Sequence, residues 1–526
     1  MARRSKIAAL CAIIAIAAAA APAAAQDKAP VTLRMLRPAA DQDPEKDPIL
    51  LELQRRTGVK LEIVTAPWDQ IWNKLNIMMA SGESIDLIQA DDGASPIWQW
   101  AKEGLMYDLR ELASKEKTPF VDAVLKADAF KSFYSGGKAY FMPAVHHGPD
   151  WCFYIRADWL KKVGMGVPKD TEQLYKVLKA FKDKQLGGPG TVGLEVYLKS
   201  PDNYEPFQIL MQPFGGSGAA MNNHDFWVGP DGKVRWTMLE KGTKDALAFL
   251  NKCYREGLIN SDFASLKSQP EAHAKYLYAG KSGMMYDAEP TVANVNVKKV
   301  DPNAEFAYLP PIDGGGAFLP LAGGPPYWLF IGIPKASKHP QEAMRFLEYC
   351  NSKEGRTLLV AGIQGRHYSA ISEDGVYDRN RAGWEKDYDV KQWGYEYPMW
   401  WGFLGTTHGY VPIDKYPSFD EAFKHEIIFL DKDDATKTFN TKTQIANMAS
   451  WSKFNPLQGI PVPEEVNPIF MKIHQDLKAR YWLKMIIEKD PSKIEGLWAE
   501  FVAGAKKAGS DKVIAAYQKY YDANLR

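Results

Sequence analysis

VTLRMLRPAADQDPEKDPILLELQRRTGVKLEIVTAPWDQIWNKLNIMMASGESIDLI, residues Val31–Ile88, is the stretch on which the fold turns. Val31–Leu36 is a strand-like apolar run, Pro48–Thr57 has helical spacing with Gly58 as a stop, and Leu61–Val64 is strand-like again. Ile71, Leu75, Met78 and Met79 recur at i, i+4, i+7 and i+8, one face of a helix that Gly82 ends. Ile85–Ile88 is a third short apolar run, and Ser95 opens another helix. Strands alternating with helices over short connections predict βαβ units, hence a parallel sheet with helices on its faces.

The style repeats further along. Thr171 before Leu174, Val177, Leu178 and Phe181 predicts a capped amphipathic helix that stops at Gly187-Gly188. Tyr327–Ile333 reads as a buried strand, and Pro340 starts a helix with Ala343, Phe346, Leu347 and Cys350 inward. Helices are expected around Ala422–Leu430, Pro468–Ile487, Lys493–Ala508 and Lys512–Ala523. Pro- and Gly-rich breaks near Pro143–Pro149 and Pro310–Pro326 each precede a strand. They suit two interwoven α/β lobes, 26–151 with 327–375 and 152–326 with 376–526, better than two consecutive domains.

Composition is ordinary for globular chains: 526 residues, 46% hydrophobic, 25% charged, net charge +1. The excess is aromatic, with 16 Trp and 25 Tyr. Arg3, Arg4 and Lys6 precede an apolar, Ala-rich stretch from Ile7 to Ala21, and Ala23-Ala24-Ala25 supplies a cleavage site. This reads as an export signal, residues 1–25, cut after Ala25; its small residues and cleavage site favour removal over a membrane anchor. Removing three of 65 basic residues leaves 62 against 64 acidic ones. A nearly neutral surface gives no support for nucleic acid or anionic membrane as the main partner.

The cysteines past the leader, Cys152, Cys253 and Cys350, are odd in number and scattered, so they form no disulfide framework. Buried thiols are the expectation, with bridging of one pair left open. Catalytic and metal motifs fail on inspection: Phe429 stands where a second zinc histidine would follow His425-Glu426. Lys275 replaces the first glycine of a phosphate loop, and Ala219 breaks a nucleophile elbow. Two carboxylates flanking a sugar, all that a glycosidase needs, stay open among 64 acidic residues.

Several segments in order resemble the family-1 extracellular solute-binding proteins of ABC importers, particularly the long oligosaccharide-binding type that includes alginate-binding proteins. They are Asn73–Ile88 (NKLNIMMASGESIDLI), Gly136–Val145 (GGKAYFMPAV), Tyr154–Lys184, Tyr254–Phe263 (YREGLINSDF), Gly280–Pro290 (GKSGMMYDAEP) and the helix from Pro340. The resemblance implies a two-lobed periplasmic-binding-protein fold of type II, α/β in both lobes, with a helical C-terminal region. It implies a periplasmic protein that closes on an oligosaccharide or other small solute and delivers it to membrane permease subunits, without catalysis or cofactor. A monomer suits such a hinge. A secreted lyase or glycosidase, or a non-sugar binding protein of the same fold, are the alternatives. Calcium-containing relatives carry an EF-hand-like loop after the helix that ends here at Lys184. Asp183, Gln185, Gly187, Gly188 and Leu194 cannot build that oxygen cage, so no structural calcium is expected.

Ligand in such a fold sits outside the carboxyl ends of the strands. Sugars present flat C–H faces for aromatic rings and a rim of hydroxyls for polar groups. Trp400-Trp401, in the loop-like EYPMWWGFLGTTHGY, are the leading platform, with packing at the lobe junction as the competing duty. Arg37 and Asp41 follow the first strand, Asp91 the third, His147 and Trp151 the first crossover, and Asp287 the run Gly283–Tyr286. Tyr204 lies in an irregular segment. Ordinary surface or capping duty competes at each of these positions, and core packing accounts better for Trp72.

Overall fold

The computed structural model describes residues 30–525 apart from 39–44, 67–69, 92–98, 128–129, 131–136, 146–151, 199–203, 216–225, 288–289, 311, 313–321, 324–326, 389–408, 434–441, 443–452, 455–456, 458–459 and 461. The chain begins β1 (Val31–Pro38), α1 (Pro48–Thr57), β2 (Val59–Ala66), α2 (Ile71–Ser81) and β3 (Leu87–Asp91). The boundaries have local causes. Asp47 caps α1 by accepting from the amides of Ile49 and Leu50 at 2.9 and 3.0 Å, and Pro48 fills the first turn. Gly58, at φ +68°, closes it in the left-handed conformation that an L side chain adopts only at a cost.

β4 (Phe141–Val145) leads into β5 (Cys152–Arg156); α3 (Thr171–Asp183), α4 (Lys241–Arg255), β6 (Met284–Asp287) and β7 (Phe306–Tyr308) follow. β8 (Tyr327–Gly332), α5 (Pro340–Asn351) and α6 (Lys353–Ala361) come next, and α7 (Ala479–Ile487), α8 (Ile494–Ala508) and α9 (Ser510–Asn524) close the chain. Among the described residues no helix is long and apolar enough to cross a membrane.

The first sheet has the order β2-β1-β3-β8-β4. β1 pairs parallel to β2 and β3, while β8 runs antiparallel to β3 and β4. The second sheet, β6-β5-β7, is antiparallel about β5. Parallel bridges Val192 to Ser282 and Leu194 to Ile259 extend it beyond β6. In both sheets the strand arriving from the other sheet lies between two strands and runs antiparallel to each.

Two large hydrophobic cores result. The first draws on residues 33–142 and 330–359, the second on residues 153–312 and 457–517. Trp384, Tyr388, Val411, Phe419 and Ala422, from a segment expected with the second lobe, pack in the first core. Polar contacts hold them there: Trp384 Nε1 donates to the His367 carbonyl at 3.0 Å, and the Tyr388 hydroxyl donates to Asp47 at 3.1 Å. In the second core Phe226 stacks on Tyr517 and Trp236 at centroid separations of 3.9 and 4.9 Å, which seats α9.

Three local expectations differ from the structure. Asp170, not Thr171, caps α3 by accepting from Gln173 N at 2.7 Å, and the helix stops at Asp183 before the left-handed Gln185. The helix expected over 422–430 is only Phe419–Phe423, because Ile428 pairs with Gly409 and Leu430 with Val376. The helix expected over 468–487 widens to π-type turns at Lys472–Lys478.

Arg156 lies fully buried at the far end of β5. It donates to both Asp158 oxygens at 2.7 and 2.8 Å, reaches Asp301, and lies over the Trp159 ring at 4.6 Å. Cys253 and Cys350 are free, buried in different cores, and so not bridged to one another. Burial pushes the Cys253 thiol up to about 12 and Cys350 up as well. Both should therefore resist a thiol reagent in the native chain and react once denaturant is added, with peptide mass mapping as the check.

Candidate functional site

Strand direction locates the site. β1 ends at Pro38, β3 at Asp91 and β4 at Val145, and Tyr327 at the start of β8 pairs with Val145. In the second sheet Cys152, starting β5, pairs with Asp287, ending β6, and Tyr308 at the end of β7 pairs with Tyr154. Both connections between the sheets therefore leave and enter at the carboxyl ends of the parallel strands, where α/β sheets bind ligands.

The predicted residues separate on burial. Arg37 is 2% exposed, inside the first unit. Burial draws its guanidinium below the usual value, and the Asp47 carboxylate opposes that shift. Asp47 also caps α1, so Arg37 supports the strand end from within. Asp91 is the last residue of β3, opposite Leu329. The Asp91 side chain, and Asp41, His147, Trp151, Trp400 and Trp401 entirely, lie outside the described residues. Tyr204 is buried, its ring 5.2 Å from Trp482 and 5.7 Å from Phe207.

Asp287 closes β6 at this edge, with Oδ2 3.1 Å from His273 Nε2. His273 Nδ1 is 2.6 Å from Glu195 Oε1. Burial alone would lower the His273 pKa, but Glu195 and Asp287 outweigh it and carry it from 6.5 to about 9. Burial raises the Glu195 carboxyl, with His273 pulling the other way. The geometry favours a charged ring, since both of its nitrogens face carboxylate oxygens.

Sequence reasoning passed over Glu195 and His273, and also the buried pair His474 and Lys478. The Lys478 ammonium is 3.2 Å from His474 Nε2 and 4.8 Å from the Trp482 ring, beneath Tyr204. A signal existed for each. Glu195 is the lone acid in the apolar run Val192–Leu198, and His474, Lys478 and Trp482 fall at successive i+4 positions.

Where calcium-containing relatives have an EF-hand-like loop, this loop closes on itself. The Gly187 amide donates to the Thr191 hydroxyl at 3.0 Å, which donates to the Gly188 carbonyl at 2.6 Å. Gly187 also lies so close to the Gly280 carbonyl that a Cβ would collide with it. Among the described residues no group of three or more His, Cys, Asp or Glu could hold a metal ion.

Two sheets with separate cores, joined by two crossings at one end of their strands, give the architecture of a two-lobed binding protein of type II. The chain belongs to the bacterial extracellular solute-binding protein family, whose profile matches residues 50–387. It is 29% identical over 367 residues to the lipoprotein LipO of Bacillus subtilis, covering 66% of this chain and 69% of that protein. It is also 29% identical over 239 residues to the fructooligosaccharide ABC transporter substrate-binding protein FusA of Streptococcus pneumoniae, covering 43% and 44%. The structure of an EF-hand mutant of FusA with fructo-nystose superposes with a TM-score of 0.67 at 20% identity, over 93% of this chain and 99% of that one. An alginate-binding protein without calcium ion superposes with a TM-score of 0.63 at 21% identity, over 94% and 98%. Those likenesses fix the fold.

Two outcomes follow from the geometry. His273→Ala should destabilise the chain by about 3–5 kcal/mol, because it leaves two buried carboxylates without their cation. A folded pKa raised to about 9 from 6.5 contributes stability that is fully present below pH 6.5 and lost as pH rises through 9. Calorimetric melting should therefore fall with rising pH more steeply for wild type than for His273→Gln. Calcium should shift the melting temperature, relative to chelator, by no more than about 1 °C, since the loop after Lys184 offers no oxygen cage and none is found among the described residues.

Proposed function

We propose that the chain is the solute-binding component of an ABC importer, which captures an oligosaccharide between two lobes and delivers it to membrane permease subunits. One observation carries the reading: a five-stranded and a three-stranded sheet are joined twice, each time at the ends where β4 and β7 finish and β5 and β8 begin, so rotation about the joining segments would open or shut that edge. The carbohydrate class is drawn from relatives, among them the fructooligosaccharide-binding FusA. No catalysis is required of it. The chain is exported, in this reading, with residues 1–25 removed and the periplasm as its compartment, and it works as a monomer.

One lobe is built on residues 31–145 with 327–388 and 409–423, and the other on residues 152–312 with 457–525; the membership of the two cores supports this for their described residues. Asp41, Asp91, His147, Trp151, Tyr204, Asp287, Trp400 and Trp401 contribute ligand contacts, with Arg37 supporting the edge. The tryptophans stack on sugar faces, while the carboxylates accept hydroxyl protons.

Intrinsic tryptophan fluorescence of the mature chain, titrated with nystose, alginate oligosaccharides and a wider sugar panel, tests this. A saturable change with the sugar recovered intact by chromatography is expected. Conversion of the sugar would replace the reading with an enzyme. Trp400→Ala and Trp401→Ala should each weaken binding by about tenfold or more, the loss of a large apolar stacking area.

A further inference from the structure

We infer that His273 is a positioning residue for the crevice. Clamped between Glu195 and Asp287, it fixes the Asp287 carboxylate at the strand edge as an acceptor for ligand hydroxyls, an inference that rests on the carbohydrate reading above.

The three residues come from three separate elements: the parallel extension of the second sheet, the π-type turn His273–Leu277 and the last position of β6. Their side chains are 2%, 4% and 9% exposed for Glu195, His273 and Asp287. The imidazole hydrogen-bonds Asp287 through Nε2 at 3.1 Å and lies in ion-pair contact with Glu195 through Nδ1 at 2.6 Å, out of line for a hydrogen bond; a protonated ring is the form that attracts both carboxylates. The Tyr278 ring meets the imidazole edge-on at 5.5 Å, and the Gln269 amide nitrogen, 3.1 Å from Nε2, gives a proton to the Tyr286 carbonyl at 3.1 Å and can bond Nε2 only when that nitrogen is unprotonated. Glu195 is tied to the same strand as Asp287. Its amide donates to Ser282 Oγ at 3.2 Å, and that hydroxyl donates to the Met284 carbonyl at 2.6 Å.

Burying three ionisable groups is a poor way to stabilise a strand, since well-packed apolar residues of similar volume do as well or better. What the clamp provides is direction. It ends on the one member at the carboxyl end of β6, beside the crossover that begins at Cys152. A carboxylate already held in one orientation loses less freedom on meeting a ligand. The neighbouring titratable groups are Tyr278 on the ring, and Tyr276, which the Glu195 charge reaches and whose hydroxyl bonds Asp262 beside Lys275.

The test uses the intact mature chain. With histidine labelled by ¹⁵N, long-range proton–nitrogen correlation near pH 7 should show both His273 ring nitrogens protonated; a singly protonated ring overturns the clamp, whether or not any sugar binds. Calorimetry with nystose and an alginate trisaccharide, using whichever binds wild type more tightly, then compares Asp287→Asn, His273→Gln and the double variant. Each single change should weaken binding about tenfold, the double no more than either, because the pair acts as one unit. Wild-type affinity should fall towards about pH 10, and that dependence should vanish in His273→Gln. If Asp287→Asn changes nothing, the assignment of Asp287 to the ligand site fails. If Asp287→Asn weakens binding and His273→Gln does not, the positioning inference is overturned while the site stands. Glu195→Gln, which keeps the volume and removes the charge, should weaken binding in the same direction if His273→Gln does not fold.

Discussion

β5 and β8 carry the chain from one sheet into the other, and each enters the interior of its sheet, between two strands to which it runs antiparallel. Neither sheet is complete until the chain has crossed. The first lacks the strand joining β3 to β4 until β8 returns, and the second is built outward from β5. The strands on either side of both crossings end or begin at the carboxyl ends of the parallel strands, the edge where backbone amides and strand-end side chains converge. In the proposed function that same edge is where ligand would bind and about which the units would rotate.

Around this frame the chain uses buried charge as fasteners. Asp47 caps α1, lies near Arg37 and accepts the Tyr388 hydroxyl, so a single carboxylate connects the first strand, the first helix and a segment more than 300 residues later. Glu348 on α5 accepts the amides of Phe120 and Val121 at 3.0 Å each, capping a neighbouring helix from a distance. Arg156 joins Asp158 and Asp301 at the end of β5 opposite the crevice. Each buries a charge with its partner in reach, the condition under which such groups are tolerated. Glu195, His273 and Asp287 follow the same rule at the crevice end.

The sequence was legible where structure is local. α1 and α2 carry their own caps and apolar faces, and both appear where the spacing places them. It was less legible where distant pairing decides. Residues 427–431 have helical neighbours, yet they join strands at 376 and 409, because Gly375 and Gly409 let the backbones approach closely. The segment containing Trp384 joins the first core through His367 and Asp47, which no local periodicity announces.

Alternation of strand and helix and two Pro- and Gly-rich crossings determined by themselves two interwoven α/β lobes, because backbone period and turn chemistry act over a few residues, while the role of a binding protein came from the resemblance of its segments to a family. They also marked Asp287 at a strand end. Tertiary structure alone decided that Asp287 would meet His273 and Glu195, that Arg37 would turn inward, and which core would take Trp384, Tyr388, Val411, Phe419 and Ala422. Those outcomes depend on which side chains share a dehydrated space, where a charge must find its partner, and sequence spacing does not specify that neighbourhood.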